Sequence, residues 1–303
     1  MGKLVPKGMY GVVLTPFNSK GEVDESVLEA EIGYCIATKV KGLLACGSTG
    51  EFVYMSPEQN RQVLKICAQK AVGKKILIGG ASATTEERVL SNLSSFMEMG
   101  YDFSIICPPY YYPQNPEDIL SFYLTVSHKA PKGVKIILYN IPFCAPGIPL
   151  SILPKLMECE NIVGLKDSSG DLLYLSRALY YASCHRPEFS IFSGQDSAIL
   201  SGLTLGAQGC MSSLSWILHD SVCSILECYD NGEQKRAELI QSHIVGLVDY
   251  LSAIPFPENY RALAEVKGIP CGIPQRAFAS LAQPAITQWK EGAEKIISSL
   301  AGL

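Results

Sequence analysis

Ile162-Val163-Gly164-Leu165-Lys166-Asp167 is the stretch on which the fold turns. It is apolar at nearly every position, shows no in/out alternation, and stops abruptly on a lysine and an aspartate. That is how a parallel strand covered on both faces reads. Seven more runs of the same kind lie at 10–17, 42–46, 75–80, 103–108, 135–140, 189–194 and 209–213.

Helical periodicity fills the gaps, with start signals where helices should begin. Asp24 stands before Val27, Leu28, Ile32 and Ile36, an apolar face with a capping carboxylate. Ser56-Pro57-Glu58-Gln59 combines a capping hydroxyl, a first-turn proline and a capping-box glutamine, and Asn115-Pro116-Glu117-Asp118 repeats the arrangement. Thr84-Thr85-Glu86-Glu87 supplies another start. Eight strand–helix units in series predict an α/β fold, a TIM (β/α)8 barrel over residues 1–214. Residues 215–303 then form a C-terminal helical extension packed on the barrel, broken near 253–258 and 268–274. An open dinucleotide-binding sheet would carry Gly-x-Gly-x-x-Gly after its first strand, and none is there.

Composition excludes several classes. With 48% hydrophobic and 18% charged residues the chain has material for a large core, and disorder is excluded. A net charge of −4 points to neither nucleic acid nor an anionic membrane as partner. The apolar runs are strand-sized, so no membrane span is expected, and the first residues show no secretory or transit pattern. The 11 cysteines are scattered without a Cys-x-x-Cys pair, several inside apolar runs, which fits a reducing cytoplasm and neither a disulfide framework nor a metal site. His128, His185, His219 and His243 all fall on presumed helices or their ends. There is no His-Glu-x-x-His and no Gly-x-Ser-x-Gly, so no metal and no resident cofactor are expected.

Barrels of this kind place their chemistry at the C-terminal ends of the strands. Those ends read Thr15-Pro16, Gly47-Ser48-Thr49-Gly50-Glu51, Tyr110-Tyr111-Tyr112, Tyr139-Asn140, Lys166-Asp167 and Gly194-Gln195-Asp196. A lysine ending an apolar strand either snorkels to the rim, pairs with its neighbouring acid, or serves as a nucleophile. Desolvation disfavours the ammonium form, and a neutral amine attacks a ketone to give an imine that acts as an electron sink. Tyr139, one strand earlier, has the reach to relay protons to Lys166, or it packs at the rim. The glycines, amides and hydroxyls of the 47–51 loop suit a small anion such as a carboxylate, or make an ordinary helix-entry turn. The three successive tyrosines equally suit a subunit contact.

Four ordered motifs, Gly47-Ser48-Thr49-Gly50-Glu51, Pro109-Tyr110-Tyr111, Tyr139-Asn140-Ile141-Pro142 and Gly164-Leu165-Lys166-Asp167, resemble the dihydrodipicolinate synthase / N-acetylneuraminate lyase family of pyruvate-dependent class I aldolases, over residues 8 to 300. The resemblance implies Lys166 as the Schiff-base lysine, Tyr139 as proton relay and Tyr111 as a residue lent to a neighbouring subunit. It implies Gly47, Ser48 and Thr49 around the pyruvate carboxylate, with Gly194 and Met211 lining the pocket, in a homotetramer built as a dimer of dimers.

Two departures bear on the substrate. Cys144 stands where the synthases usually carry an arginine that grips a substrate carboxylate, and a thiol cannot supply that bidentate contact. Gly194-Gln195-Asp196-Ser197 keeps one of the two acids that sialic acid lyases usually show. The expectation is therefore a lyase cleaving or forming a 2-keto-3-deoxy sugar acid or similar pyruvate adduct. A 4-hydroxy-tetrahydrodipicolinate synthase using aspartate semialdehyde, a dehydratase using the same imine, and a catalytically silent keto-acid-binding barrel are the alternatives.

Overall fold

A computed structural model describes residues 5–275 and 283–300. Eight parallel strands close on themselves in chain order: β1 (Gly8–Val12), β2 (Gly42–Ala45), β3 (Ile76–Gly80), β4 (Phe103–Ile106), β5 (Ile136–Asn140), β6 (Ile162–Asp167), β7 (Ser190–Ser193) and β8 (Gly209–Ser212). The barrel helices are α1 (Glu25–Ala37), α2 (Pro57–Ala71), α3 (Glu86–Met99), α4 (Pro116–Lys129), α5 (Leu153–Met157), α6 (Leu172–His185) and α7 (Ile199–Leu205). After β8 come α8 (Leu214–Ile217), α9 (His219–Asp230), α10 (Gln234–Leu251), α11 (Glu258–Val266) and α12 (Gln283–Leu300). Among the described residues no helix is long and apolar enough to cross a membrane.

The start signals act as their chemistry dictates. Asp24, Ser56, Thr85 and Asn115 each accept the backbone N–H three residues on, and Gln59 completes the capping box with Ser56. The first strand is shorter and earlier than its apolar run suggested. Beyond Val13, whose N–H still reaches the Leu44 carbonyl of β2, the chain leaves the sheet: the Leu14 N–H goes to the Glu31 carboxylate at 2.8 Å, and Phe17 bridges Ile273. Residues 14–17 are apolar because they are buried beneath α1 and the C-terminal segment, and Pro16 has no N–H to offer a ladder.

Two apolar layers follow from the closed sheet. An outer one, between strands and helices, includes Leu43, Leu77, Leu138, Leu165 and Ile191. An inner one fills the barrel with Tyr10, Leu44, Ile78, Ile105, Ile137, Tyr139, Val163, Phe192 and Met211. Strand alternation would put Val163 and a residue three further on opposite faces. The β5–β6 ladder is irregular here, pairing Ile136 with Ile162 but Ile137 with Gly164, so Val163 is an extra residue. This bulge resets the alternation. Val163 belongs to the inner layer, and Lys166, paired with Tyr139 on one side and Phe192 on the other, shares that face.

Candidate active site

Lys166 is 3% exposed, and its Nζ donates to the Tyr139 hydroxyl at 3.3 Å while lying 4.4 Å from the centre of that ring. It does not pair with Asp167. That carboxylate accepts instead from Asn140 Nδ2 at 2.7 Å and from the Ser169 amide and hydroxyl, and burial raises its pKa. Asn140 also accepts the Ile148 N–H at 2.9 Å, so the second half of the Tyr-Asn motif pins the loop that follows β5.

The 47–51 loop faces the same pair. Ser48 Oγ lies 3.5 Å from the Tyr139 hydroxyl. Thr49 Oγ1 accepts from Ser213 Oγ at 3.1 Å, and Thr15 Oγ1 donates to the Gly50 carbonyl at 2.7 Å. Turn bonds from the Gly50 and Glu51 amides close the loop on itself. Among the described residues the Ser48 and Thr49 amides have neither a backbone nor a side-chain acceptor, which leaves two N–H groups beside two hydroxyls. Gly47 packs its backbone against Leu44 and Val12, where a Cβ would come within 2.7 Å of the leucine.

A cavity of about 200 Å³ opens over Lys166. Thr49, Tyr139, Gly194 and Met211 line it as the sequence anticipated. Five of the eight anticipated residues line this cavity, those four with Lys166, and Ser48 stands next to it against the Tyr139 hydroxyl. Gly47 sits behind the loop. Tyr111 is 85% exposed with φ of 86°, packs edge-on against Tyr112, and is not part of its own chain's cavity wall. Cys144 is exposed. The four histidines lie on α4, α6, α9 and α10, as read from the sequence.

The far wall comes from outside the barrel, and sequence reasoning missed it. Phe256, Asn259 and Tyr260, at the turn before α11 and in its first residues, close the cavity together with Phe143 and Gln195. Phe256 stands edge-on between Phe143 and Tyr260, with ring centres 6.0 and 6.1 Å away. Tyr260 donates to Asp196 Oδ2 at 2.9 Å. Burial pushes the Asp196 carboxyl up to about 6, against the pull of the Ser212 and Tyr260 hydroxyls and the Lys166 charge. The signal for this wall was present: Pro255-Phe256-Pro257 breaks two helices just where an element can turn toward the rim.

A closed parallel barrel with a buried lysine–tyrosine pair at its C-terminal rim is the arrangement that a lyase of the class I aldolase type requires. The chain belongs to the dihydrodipicolinate synthetase family, whose model matches residues 5–295. It is 30% identical over 267 residues to a 4-hydroxy-tetrahydrodipicolinate synthase of Syntrophus aciditrophicus, covering 86% of this chain and 88% of that one. It is 24% identical over 294 residues to an N-acetylneuraminate lyase of Rhizobium meliloti, covering 96% of each. A solved structure of a Ruminococcus gnavus sialic acid aldolase carrying a mutated catalytic lysine has the same fold, with a TM-score of 0.90 at 20% identity. That match covers 100% of this chain and 99% of the other.

Proposed function

We propose that Lys166 holds pyruvate as an imine and that the enzyme cleaves or forms a 2-keto-3-deoxy sugar acid or a close pyruvate adduct. In the cleavage direction Nζ adds to the C2 ketone and water leaves, giving the protonated imine. The C4 hydroxyl proton is taken up through Tyr139, the C3–C4 bond breaks, and its electrons pass into the imine as an enamine. An aldehyde departs. Protonation at C3 and hydrolysis then release pyruvate and restore the free lysine. Ser48 and Thr49 hold the C1 carboxylate with their hydroxyls and open amides.

One observation carries the choice of substrate. Among the described residues lining the cavity, Lys166 is the only cation, and beyond it stand Gln195, Asn259, Tyr260, Asp196 and two phenylalanines. Such a wall suits hydroxyl groups and offers a second carboxylate neutral donors but no guanidinium or ammonium. The second reading, condensation of pyruvate with aspartate semialdehyde, draws support from the names of the synthase relatives. The exposed Tyr111 fits a residue given to a neighbouring subunit's site in a homotetramer. A cytoplasmic setting fits eleven free thiols.

The test is intact-protein mass spectrometry after pyruvate and borohydride. Wild type should gain one reduced adduct, Lys166→Ala none, and Tyr139→Phe the same adduct about 10²-fold more slowly. A sugar-acid panel should then release pyruvate. Adduct formation with no turnover of any sugar acid, beside robust aspartate semialdehyde condensation, would establish the second reading. Reversible pyruvate binding with no adduct would show a silent barrel.

A further inference from the structure

Arg261 belongs to α11, outside the barrel, yet it is 1% exposed and reaches behind the 47–51 loop. Its Nη2 donates to Glu51 Oε2 at 2.8 Å and to the Thr15 carbonyl at 3.1 Å. Its Nη1 donates to the Cys271 carbonyl, and its Nε to Glu258 Oε2 at 3.2 Å. The Thr15 hydroxyl in turn holds the Gly50 carbonyl. One rigid fork therefore grips the last two residues of the loop, Glu51 directly and Gly50 through Thr15.

The loop needs an outside hold. Cys46 and Glu51, its two flanks, both sit in the left-handed region with φ of 54° and 57°. Residues with a Cβ keep that conformation only where surrounding structure imposes it. A side chain at Gly50 would bring a Cβ within 3.2 Å of the Val13 carbonyl, so the loop packs close to the chain beyond β1. The positions of the Ser48 and Thr49 amides thus depend on how Glu51 is anchored.

We infer that Arg261 is a positioning residue that sets the affinity for the keto acid's carboxylate by clamping Glu51 and Thr15, without touching substrate. The inference rests on the reading of Lys166 as the imine lysine with the carboxylate at Ser48 and Thr49. It predicts a separation of effects: loss of the fork loosens the loop, while the Lys166–Tyr139 pair, held by the sheet, keeps its geometry.

The experiment measures the pyruvate concentration giving half-maximal borohydride trapping, and the limiting trapping rate, for wild type, Arg261→Lys and Arg261→Met. A lysine is a single point charge and cannot hold Thr15, Cys271 and Glu51 together. Half-saturation should rise about tenfold for Arg261→Lys and about a hundredfold for Arg261→Met, with the limiting rate of the lysine variant within about threefold of wild type. Hydrogen exchange should quicken in the peptide spanning 46–54. Should Arg261→Met fail to fold, Thr15→Val removes only the hydroxyl bond to Gly50 and should raise half-saturation severalfold. Unchanged half-saturation in folded Arg261→Lys and Thr15→Val, with only a lowered melting temperature, would make Arg261 a structural strut and overturn the inference. A wild type that forms no adduct would sink the imine reading first, and this inference with it.

Discussion

Gly194→Ala is the sharpest probe of how the sheet aims the lysine. Gly194 closes the end of β7, its N–H donating to the Asp167 carbonyl at 2.7 Å, and its φ lies outside the left-handed region. A methyl group there strains no dihedral, so the substitution tests space alone. The new Cβ would stand 1.9 Å from Ser168 Oγ and 2.9 Å from Lys166 Cε. The serine hydroxyl can turn away, but Ser168 Cβ, 3.0 Å from the new methyl group, is fixed to the backbone and stays in tight contact. Cε is one bond from the nitrogen proposed to react and must give by about half an ångström to reach ordinary contact. A displacement of ~1 Å at a reacting group costs on the order of 10²-fold, so about half of that predicts roughly a tenfold slower adduct formation at saturating pyruvate. Overpacking by one methyl costs ~1–3 kcal/mol, a melting shift of several degrees. Quenched borohydride trapping gives the rate and a thermal melt gives the stability. The double variant Ser168→Gly with Gly194→Ala removes the first clash and keeps the second, so stability should recover while the rate stays low. A rate within twofold of wild type in Gly194→Ala, or full recovery of rate in the double variant, would refute the claim that this glycine makes room for the lysine.

Two further outcomes are expected. Asp196 has its pKa raised from 3.8 to about 6, so the folded protein keeps a proton that the unfolded chain has released. Asp196 therefore contributes roughly 3 kcal/mol of stability that is lost as pH rises from about 4 to 6, on top of losses of the same sign from Glu31 and Glu258, and Asp196→Asn should lack the Asp196 share. Urea unfolding at pH 4 and pH 7 checks it, and a constant gap between the two proteins at both pH values would refute the assignment. If Tyr111 serves a neighbour's site, co-refolding Tyr111→Phe with Lys166→Ala subunits should regain about a quarter of wild-type activity from mixed pairs, each holding one intact site. No regain above the separate variants would place Tyr111 outside the chemistry.

The barrel was legible because its strands are buried on both sides, and seven of the eight apolar runs coincide with strands to within two residues. The exception, residues 14–17, shows the limit of that signal. Apolar sequence reports burial, and here burial lies under α1 and the chain near Ile273, where no ladder forms. The lysine, tyrosine and hydroxyl loop were legible for a related reason: strand ends of a parallel barrel all emerge on one rim, so residues distant in sequence converge. The inward aim of Lys166 depends on the extra residue at Val163, and the one mark of it in the apolar run is Gly164, a strand glycine that sequence reasoning missed. Nor was the role of Asp196 as an acid buried beside Tyr260 legible, because its partner lies 64 residues on, across four helices and a strand.

The helical extension changes how the site should be thought of. Residues 256–261 place a phenylalanine and a tyrosine on the cavity wall, an asparagine beside them, and an arginine behind the 47–51 loop. On the proposed reading the sheet fixes the bond-breaking end of the substrate, since Lys166 and Tyr139 are paired residues of adjacent strands. The far end of the substrate meets side chains hung on a turn at Pro255-Phe256-Pro257, outside that hydrogen-bonded frame. Substitutions in the extension should then redirect the enzyme among aldehydes while leaving the imine chemistry intact. Those that reach Arg261 should instead weaken the hold on pyruvate itself. The two behaviours are separable in kinetics even though the residues are adjacent in the chain, because Tyr260 points into the cavity and Arg261 points behind its wall.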